Sequence, residues 1–292
     1  MRSSQKPPEE LRGRKGRLFV VGTPIGNLED LSPRAARILS EADALFCEDT
    51  RVTAKLVRPG TPRISCPAPR EGSRGPELLE RLSRGETVAV VTDAGMPSVS
   101  DPGERLVEAA ALAGFPVEVV PGPSAPAAAL AVSGLPGVPH LFAGFLPSRP
   151  GERRRALEQL RDRKETLVWF EAPHRLLGSL ADAAAILGPR RASVSRELTK
   201  LHEETVRGTL SDLAESFGRR GSVRGELTVV VEGNRGGVPA EGSPQTIEAE
   251  VRRALALGRS KRELSRDIAR RFGRKAREIY AQAVEIEGRN TE

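Results

Sequence analysis

The stretch Thr87-Val88-Ala89-Val90-Val91-Thr92-Asp93-Ala94-Gly95-Met96-Pro97-Ser98-Val99-Ser100-Asp101-Pro102-Gly103 opens as an apolar, β-branched run and then breaks into small residues and proline. Such a run suits a strand buried on both faces of a parallel sheet. One carboxylate, Asp93, stands at the break. Asp101-Pro102 reads as an N-cap followed by proline in the first helical position, opening a helix over 104–113. A strand, a small-sided loop and a capped helix describe the carboxyl edge of an α/β sheet, where ligands bind. An ordinary βα turn has the same local pattern. The weight therefore falls on repetition: a second such turn precedes this one and a third follows.

Upstream, 18–21 reads as a strand and Gly22-Thr23-Pro24-Ile25-Gly26-Asn27-Leu28 as its loop. Ser32-Pro33 caps a helix whose apolar positions Ala36, Leu39 and Ala42 follow helical spacing. A strand over 44–47 ends in Glu48-Asp49-Thr50-Arg51, and a short strand around Ile64 and a helix over 77–84 lead to the central strand. Downstream come a strand over 117–120, the loop Pro121-Gly122-Pro123-Ser124-Ala125, and an alanine-rich helix ending near Ser133-Gly134. Alternation of this kind predicts a mainly parallel, doubly wound sheet in an N-terminal α/β domain over 18–135. Leu135-Pro136-Gly137-Val138-Pro139 is rich in turn formers and marks a boundary. A second α/β domain follows over 136–233, with strands over 141–146, 166–170, 192–195 and 226–231, helices over 153–163 and 176–187, and a loop over 196–209. Residues 234–244 form a linker. From 245 to 288 the pattern is helical only (246–257, 261–271, 275–287), and the two short helices around Phe272-Gly273-Arg274 resemble a helix-turn-helix module. Residues 1–17 read as a disordered basic arm.

With 38% hydrophobic and only 3% aromatic residues, the cores must be built from Val, Leu, Ile and Ala. Two cysteines exclude a disulfide framework, and three histidines without metal-ligand spacing argue against a zinc site. No apolar run is long enough to span a bilayer and the N-terminus shows no h-region, so a cytoplasmic protein is expected. The net charge of +7 is unevenly placed. Residues 1–17 hold six basic and two acidic residues, 245–292 hold twelve and eight, and the body between holds 28 and 29. Excess positive charge at both ends suggests a polyanionic partner; solubility is the plainer alternative.

The glycine loop at 22–26 lacks the G-x-G-x-x-G spacing of a dinucleotide fingerprint, and no Walker A lysine pattern is present. It suits a ligand that approaches the backbone without a pyrophosphate, and S-adenosylmethionine fits that description. Glu48-Asp49-Thr50-Arg51 sets two carboxylates and an arginine at a strand end, with helix capping by Asp49 or Thr50 an equal alternative. His174 reads as a base or as a helix cap, and Arg175 as a phosphate clamp. Arg196-Glu197-Leu198-Thr199-Lys200 with His202-Glu203-Glu204 reads as a substrate-facing loop or a solvated one.

Together these stretches resemble one family. Residues 20–31 (VVGTPIGNLEDL), 48–51 (EDTR), 92–103 (TDAGMPSVSDPG), 120–125 (VPGPSA), 144–147 (GFLP), 170–175 (FEAPHR), 196–200 (RELTK) and 207–209 (RGT) match, in order, the bacterial ribosomal RNA small subunit methyltransferase I family of the tetrapyrrole methylase-like group. The resemblance runs from about 17 to 287 and includes the basic helical tail. It departs at Met96, where the family usually has threonine, and at Pro69-Arg70, where a histidine-asparagine pair usually precedes the acid kept here as Glu71.

The resemblance implies two α/β domains with S-adenosylmethionine bent into the cleft between them, lined by Ile25, Ala94, Gly95, Met96, Val99, Ser124, Ala125, Glu171 and Gly208. It implies methyl transfer to the ribose 2′-hydroxyl of a cytidine in 16S ribosomal RNA of the 30S subunit, by a homodimer, without metal. Candidates for the hydroxyl proton are Asp93, Glu48, Asp49 and His174. Candidates for the RNA backbone are Arg51, Arg175, Arg196 and Lys200, with Arg266 and Arg270 in the tail, where Arg262, Arg266, Arg270 and Arg274 recur every four residues. Two rivals are a tetrapyrrole C-methyltransferase on the same scaffold and a non-enzymatic ribosome assembly factor. The basic tail argues against the first and the three small-residue loops against the second.

Overall fold

The computed structural model describes residues 16–57, 60–235, 244–256, 259–272 and 274–289. Most of the expected arm and linker lies outside these residues. The first sheet holds β1 (Arg17–Val21), β2 (Ala44–Cys47), β3 (Arg63–Ser65), β4 (Thr87–Val91) and β5 (Val117–Val120) in the order β3-β2-β4-β1-β5, every neighbouring pair parallel. Alternation sorts its side chains to two covered faces. Leu18, Val88 and Val90 join one core with Leu78 and Leu106, while Phe19, Val21, Ala89 and Val91 join another with Ala35 and Leu39. The helices between these strands are α1 (Pro33–Glu41), α2 (Thr50–Thr53), α3 (Glu71–Ser83) and α4 (Glu104–Leu112), with α5 (Ala125–Ser133) after β5.

Two helix starts differ from expectation. Asp101 is not the cap of α4; that position is Gly103, at φ +136°, with no side chain of its own to offer. Glu71 does the capping from another helix, its buried carboxylate accepting the N–H groups of Gly103 (2.8 Å), Arg105 (2.8 Å) and Leu106 (3.4 Å). That anchorage also explains why α3 begins at Glu71 and not at 77. Gly72, Gly75 and Pro76 are poor helix formers, so the first turns depend on a tertiary contact invisible in local propensity.

The second sheet holds β6 (His140–Phe145), β7 (Thr166–Glu171), β8 (Arg191–Arg196), β9 (Glu204–Thr209) and β10 (Leu227–Val231), in the order β6-β7-β10-β8-β9. It is mixed: β6 and β7 are parallel, and β10 runs against both β7 and β8. The expected loop over 196–209 is corrected, because its second half is β9, paired antiparallel with β8. The alternation Glu204-Thr205-Val206-Arg207 carries little apolar signal, and only the neighbouring strand makes it a strand. One face packs on α6 (Pro150–Leu160), α7 (Leu176–Leu187) and α8 (Leu210–Gly218) around Trp169, Leu180 and Phe217. The helix α6 starts at Pro150, three residues before the expected 153, because proline is pre-set for a first turn. Onto the other face comes α5, whose Ala129 and Leu130 pack with Val168, Val230, Leu198 and Ile25. A helix that follows a strand of the first sheet thus packs on the second and draws the two together.

The tail helices α9 (Pro244–Ala256), α10 (Lys261–Phe272) and α11 (Ala276–Arg289) enclose a small core of Ile247, Val251, Leu264, Ile268, Ile279 and Ile286. Cys47 and Cys66 are buried and unbridged. Among the described residues no helix is long and apolar enough to cross a membrane.

Candidate active site

A parallel sheet delivers every strand-to-helix loop to one edge, and here three loops close on one another through backbone. Thr23 and Gly95 exchange both backbone hydrogen bonds (2.9 and 3.1 Å), and the buried Thr23 hydroxyl donates to the carbonyl of Thr92 (3.1 Å). The N–H of Gly22 donates to the carbonyl of Val120 (2.9 Å). Gly22 and Gly122 touch so closely that a Cβ on Gly22 would lie 2.6 Å from the Cα of Gly122 and 2.6 Å from Met96 Sδ. Gly95 sits at φ +85°, a conformation open to glycine at little cost.

Between these loops and the second sheet lies a cavity of about 350 Å³. Ile25, Ala94, Gly95, Met96, Val99, Ser124 and Ala125 form its first-sheet wall, and Glu171, at the end of β7, faces them. Eight of the nine positions named from the resemblance therefore line one cavity. The ninth, Gly208, lies in β9 opposite Ala192 and off the cavity, where an added Cβ would meet the Cβ of Asp212 at 3.1 Å. Glu171 is buried; Oε1 accepts the N–H of Ala172 (2.9 Å), and Oε2 has no partner. The wall thus presents backbone and small side chains.

The carboxylates separate by role. Asp93 Oδ1 accepts the N–H of Asp49 (3.0 Å), and Glu48 Oε2 accepts the N–H of Asp93 (3.4 Å). This reciprocal pair ties the end of β4 to the end of β2, and burial pushes both carboxyls above their usual range. Asp49 caps α2 by accepting the N–H of Arg51 (2.8 Å) and pairs with the Arg51 guanidinium (2.6 Å), which lowers it to about 2. None of the three lies on the cavity wall. His174 sits exposed in a single turn of 3-10 helix, Pro173–Arg175, also off the wall.

Of the carboxylates that line the cavity, Glu171 pairs with Arg175 and Glu226 with Lys200, which leaves Asp101. It makes no hydrogen bond or ion pair among the described residues. Burial first, and the negative charges of Glu48, Asp93 and Glu226 after it, push it up to about 6. Sequence reasoning passed over Asp101 because Asp-Pro at a helix start reads as a cap. Phe145, Phe170, Ala172, Pro173 and residues 225–228 complete the wall. The match at 144–147 (GFLP) held the signal for Phe145.

The four body cations put forward for RNA all have partners within the chain. Arg51 pairs with Asp49. Arg175 donates to the carbonyls of Leu146 (2.5 Å) and Pro147 (3.1 Å) and lies 3.1 Å from Glu171 Oε1, an ion pair whose N–H is not aligned for a hydrogen bond. Arg196 pairs with Glu204 (3.4 Å). Lys200 Nζ reaches both Glu197 (2.9 Å) and Glu226 (3.1 Å), and its methylenes cover Gly26, where a Cβ would lie 2.5 Å from Lys200 Cγ. Arg262, Arg266 and Arg270 differ. They lie exposed along α10, away from buried Leu264 and Ile268, with no ion pair or hydrogen bond from their side chains among the described residues. No cluster of three His, Cys, Asp or Glu among the described residues is arranged to hold a metal ion.

The family described as Tetrapyrrole (Corrin/Porphyrin) Methylases matches residues 17–214. The methyltransferase CobJ has the same fold, with a TM-score of 0.58 at 21% identity over 75% of this chain and 94% of its own. The body is therefore built as a tetrapyrrole methylase. Two relatives narrow the family, both named Ribosomal RNA small subunit methyltransferase I. The protein from Halalkalibacterium halodurans is 42% identical over 92% of this chain and 95% of its own length. That from Thermotoga maritima is 46% identical over 75% of this chain and 99% of its own. The chain belongs to the ribosomal RNA small subunit methyltransferase I family.

Proposed function

We propose that the protein binds S-adenosylmethionine in the cavity between the two sheets and methylates the ribose 2′-hydroxyl of a cytidine in 16S ribosomal RNA. The observation that carries this is the wall itself. Three loops of the parallel sheet meet backbone to backbone around it, and Glu171 closes it from the end of β7. The cavity suits a nucleoside joined to an amino acid: apolar contact comes from Ile25, Met96 and Val99, and backbone groups from around Gly95 and Ser124.

When bound, S-adenosylmethionine supplies a methyl carbon on a cationic sulfur, its C–S bond breaking as the C–O bond to the ribose forms. Donor activation is therefore not asked of the protein, and the chemistry needs no metal. The protein has to hold the acceptor oxygen in line and take its proton. Asp101 is the carboxylate placed for that proton: it lies on the wall, its lone pairs are unused, and its raised pKa makes it a stronger base than an ordinary aspartate. Asp93 and Glu48 position the loop that bears it. Gly208 plays no part at the wall. The unpaired arginines of α10 meet RNA phosphates, whereas Arg51, Arg175, Arg196 and Lys200 shape the site's surroundings. The enzyme acts as a cytoplasmic homodimer.

Incubation with methyl-labelled S-adenosylmethionine and, separately, 30S subunits, naked 16S rRNA or a tetrapyrrole tests the assignment. Label is expected in RNA only, recovered as 2′-O-methylcytidine after nuclease digestion. Label in the tetrapyrrole, or on a base of the RNA, would overturn it. Light scattering checks the dimer.

A further inference from the structure

The chain has ten aromatic residues in 292, and three of them gather at the second-sheet side of the cavity. Phe142 and Phe145 flank Phe170, with ring centroids 5.0 Å apart at 72° and 5.3 Å apart at 54° respectively. Phe142 sits opposite Val168 and Phe145 opposite Phe170, so β6 spends one residue more than β7 over this interval. Gly144, within the interval, stands at φ +62°. This is a bulge in an edge strand, a device that re-aims a side chain. Its result is unusual for a large apolar ring: Phe145 lines the cavity yet is 58% exposed.

The bulge also reaches across the cleft. A Cβ on Gly144 would lie 3.1 Å from the hydroxyl of Ser100, the neighbour of Asp101. Phe145 and Asp101 thus border the same part of the cavity, on its open side, where Ser100 is exposed too. The enclosed side is made of Ile25, Gly95 and Glu171, all buried.

We infer that Phe145 is the platform on which the base of the target nucleotide packs, resting on the proposed methyl transfer to RNA ribose. A ribose whose hydroxyl reaches Asp101 carries its base a few ångströms away, at the rim where the ring lies open. A nucleotide drawn out of an RNA strand loses the stacking of its neighbours, and an aromatic face replaces it. Phe170 holds the Phe145 ring from one side and leaves the exposed side for the base. The donor's own nucleoside is served by the enclosed wall, which has the backbone groups that a nucleoside needs.

The test uses the full-length protein with Phe145→Leu, which keeps apolar bulk and loses the flat face, and Phe145→Tyr, which keeps the face. For Phe145→Leu, kcat/KM for the RNA acceptor is expected to fall roughly 10- to 100-fold, mainly through KM. Its affinity for S-adenosylmethionine by calorimetry should stay within about twofold of wild type, and the salt slope of RNA binding should be unchanged, because the lost contact is not ionic. Phe145→Tyr should restore the acceptor kinetics. An unchanged kcat/KM in Phe145→Leu overturns the inference, as does a parallel loss of donor affinity, which would assign the ring to the donor. Failure of the wild-type protein to label RNA would instead bring down the function on which it rests.

Discussion

Charge is used differently in the body of this protein and in its tail. In the body, Arg51, Arg175, Arg196 and Lys200 are each held by a carboxylate of the chain, and two of them also fasten loops. In the tail, Arg262, Arg266 and Arg270 stand on one face of α10 without such partners among the described residues. A cation neutralised internally fixes shape and has little left for a phosphate. One left unneutralised is a standing attraction for a polyanion. The same contrast holds for acids: Asp49 is paired and lowered to about 2, whereas Asp101 is unpaired and raised to about 6.

The sharpest way to press this contrast is at Asp101. Asp101→Asn is expected to lower single-turnover methyl transfer by about 10²–10⁴-fold while leaving donor affinity unchanged. The wild-type rate should rise with pH through about 6. A flat profile between pH 5 and 7, or near wild-type turnover by the variant, would return the proton to another group. Stability should move the opposite way. A carboxyl raised from 3.8 to about 6 on folding binds its proton more tightly in the native state. Its contribution to stability is therefore present near pH 4 and lost as pH rises through 6. Removing the ionisable group should raise Tm at pH 7 relative to wild type and leave it alike at pH 4.

Next in size is Arg175. Its side chain is 16% exposed, and that of Glu171, with which it pairs, is fully buried. Arg175→Met strands that carboxylate and frees the Leu146 and Pro147 carbonyls, which should cost about 3 kcal/mol in urea unfolding. Loss of RNA affinity with full stability would show instead that Arg175 faces the substrate.

A smaller effect is expected from Arg262, Arg266 and Arg270 changed together to glutamine. Tm should hold, donor binding should hold, and the slope of log K against log salt should drop by roughly two to three units. An unchanged slope would leave the tail as a packing module. Least of all should come from Arg51→Gln, whose side chain is 88% exposed. No measurable change in Tm and only a slight change in RNA affinity are expected. A marked fall in affinity would move Arg51 into the tail's class.

Much of the site was legible because small residues at strand ends have few other uses. Gly22, Gly95 and Ser124 have little apolar side chain to bury, and the structure puts Gly22 against Gly122 and Gly95 and Ser124 on the cavity. At Met96, where the resemblance departs from its family, the loop's backbone still makes the wall and the sulfur packs beside Gly22. Asp101 was not legible. Asp-Pro at a helix start is the common signature of a cap, and the true cap, Glu71, lies 32 positions from Gly103. The first strand of the hairpin β8–β9 was visible, while the second, nearly without apolar alternation, was not.

By itself the sequence determined the doubly wound first sheet, the positions of its loops, the helical tail and the family, since each rests on residue type at short spacing. Tertiary structure alone decided which cavity carboxylate is left unpaired, which arginines find a partner among the described residues and which do not, and that a bulge turns Phe145 outward. The physical reason is distance along the chain. Periodicity and caps act over a few residues, whereas the hydrogen bond from Gly103 to Glu71, the cover of Lys200 over Gly26 and the approach of Gly144 to Ser100 join residues that only the packed sheets bring together.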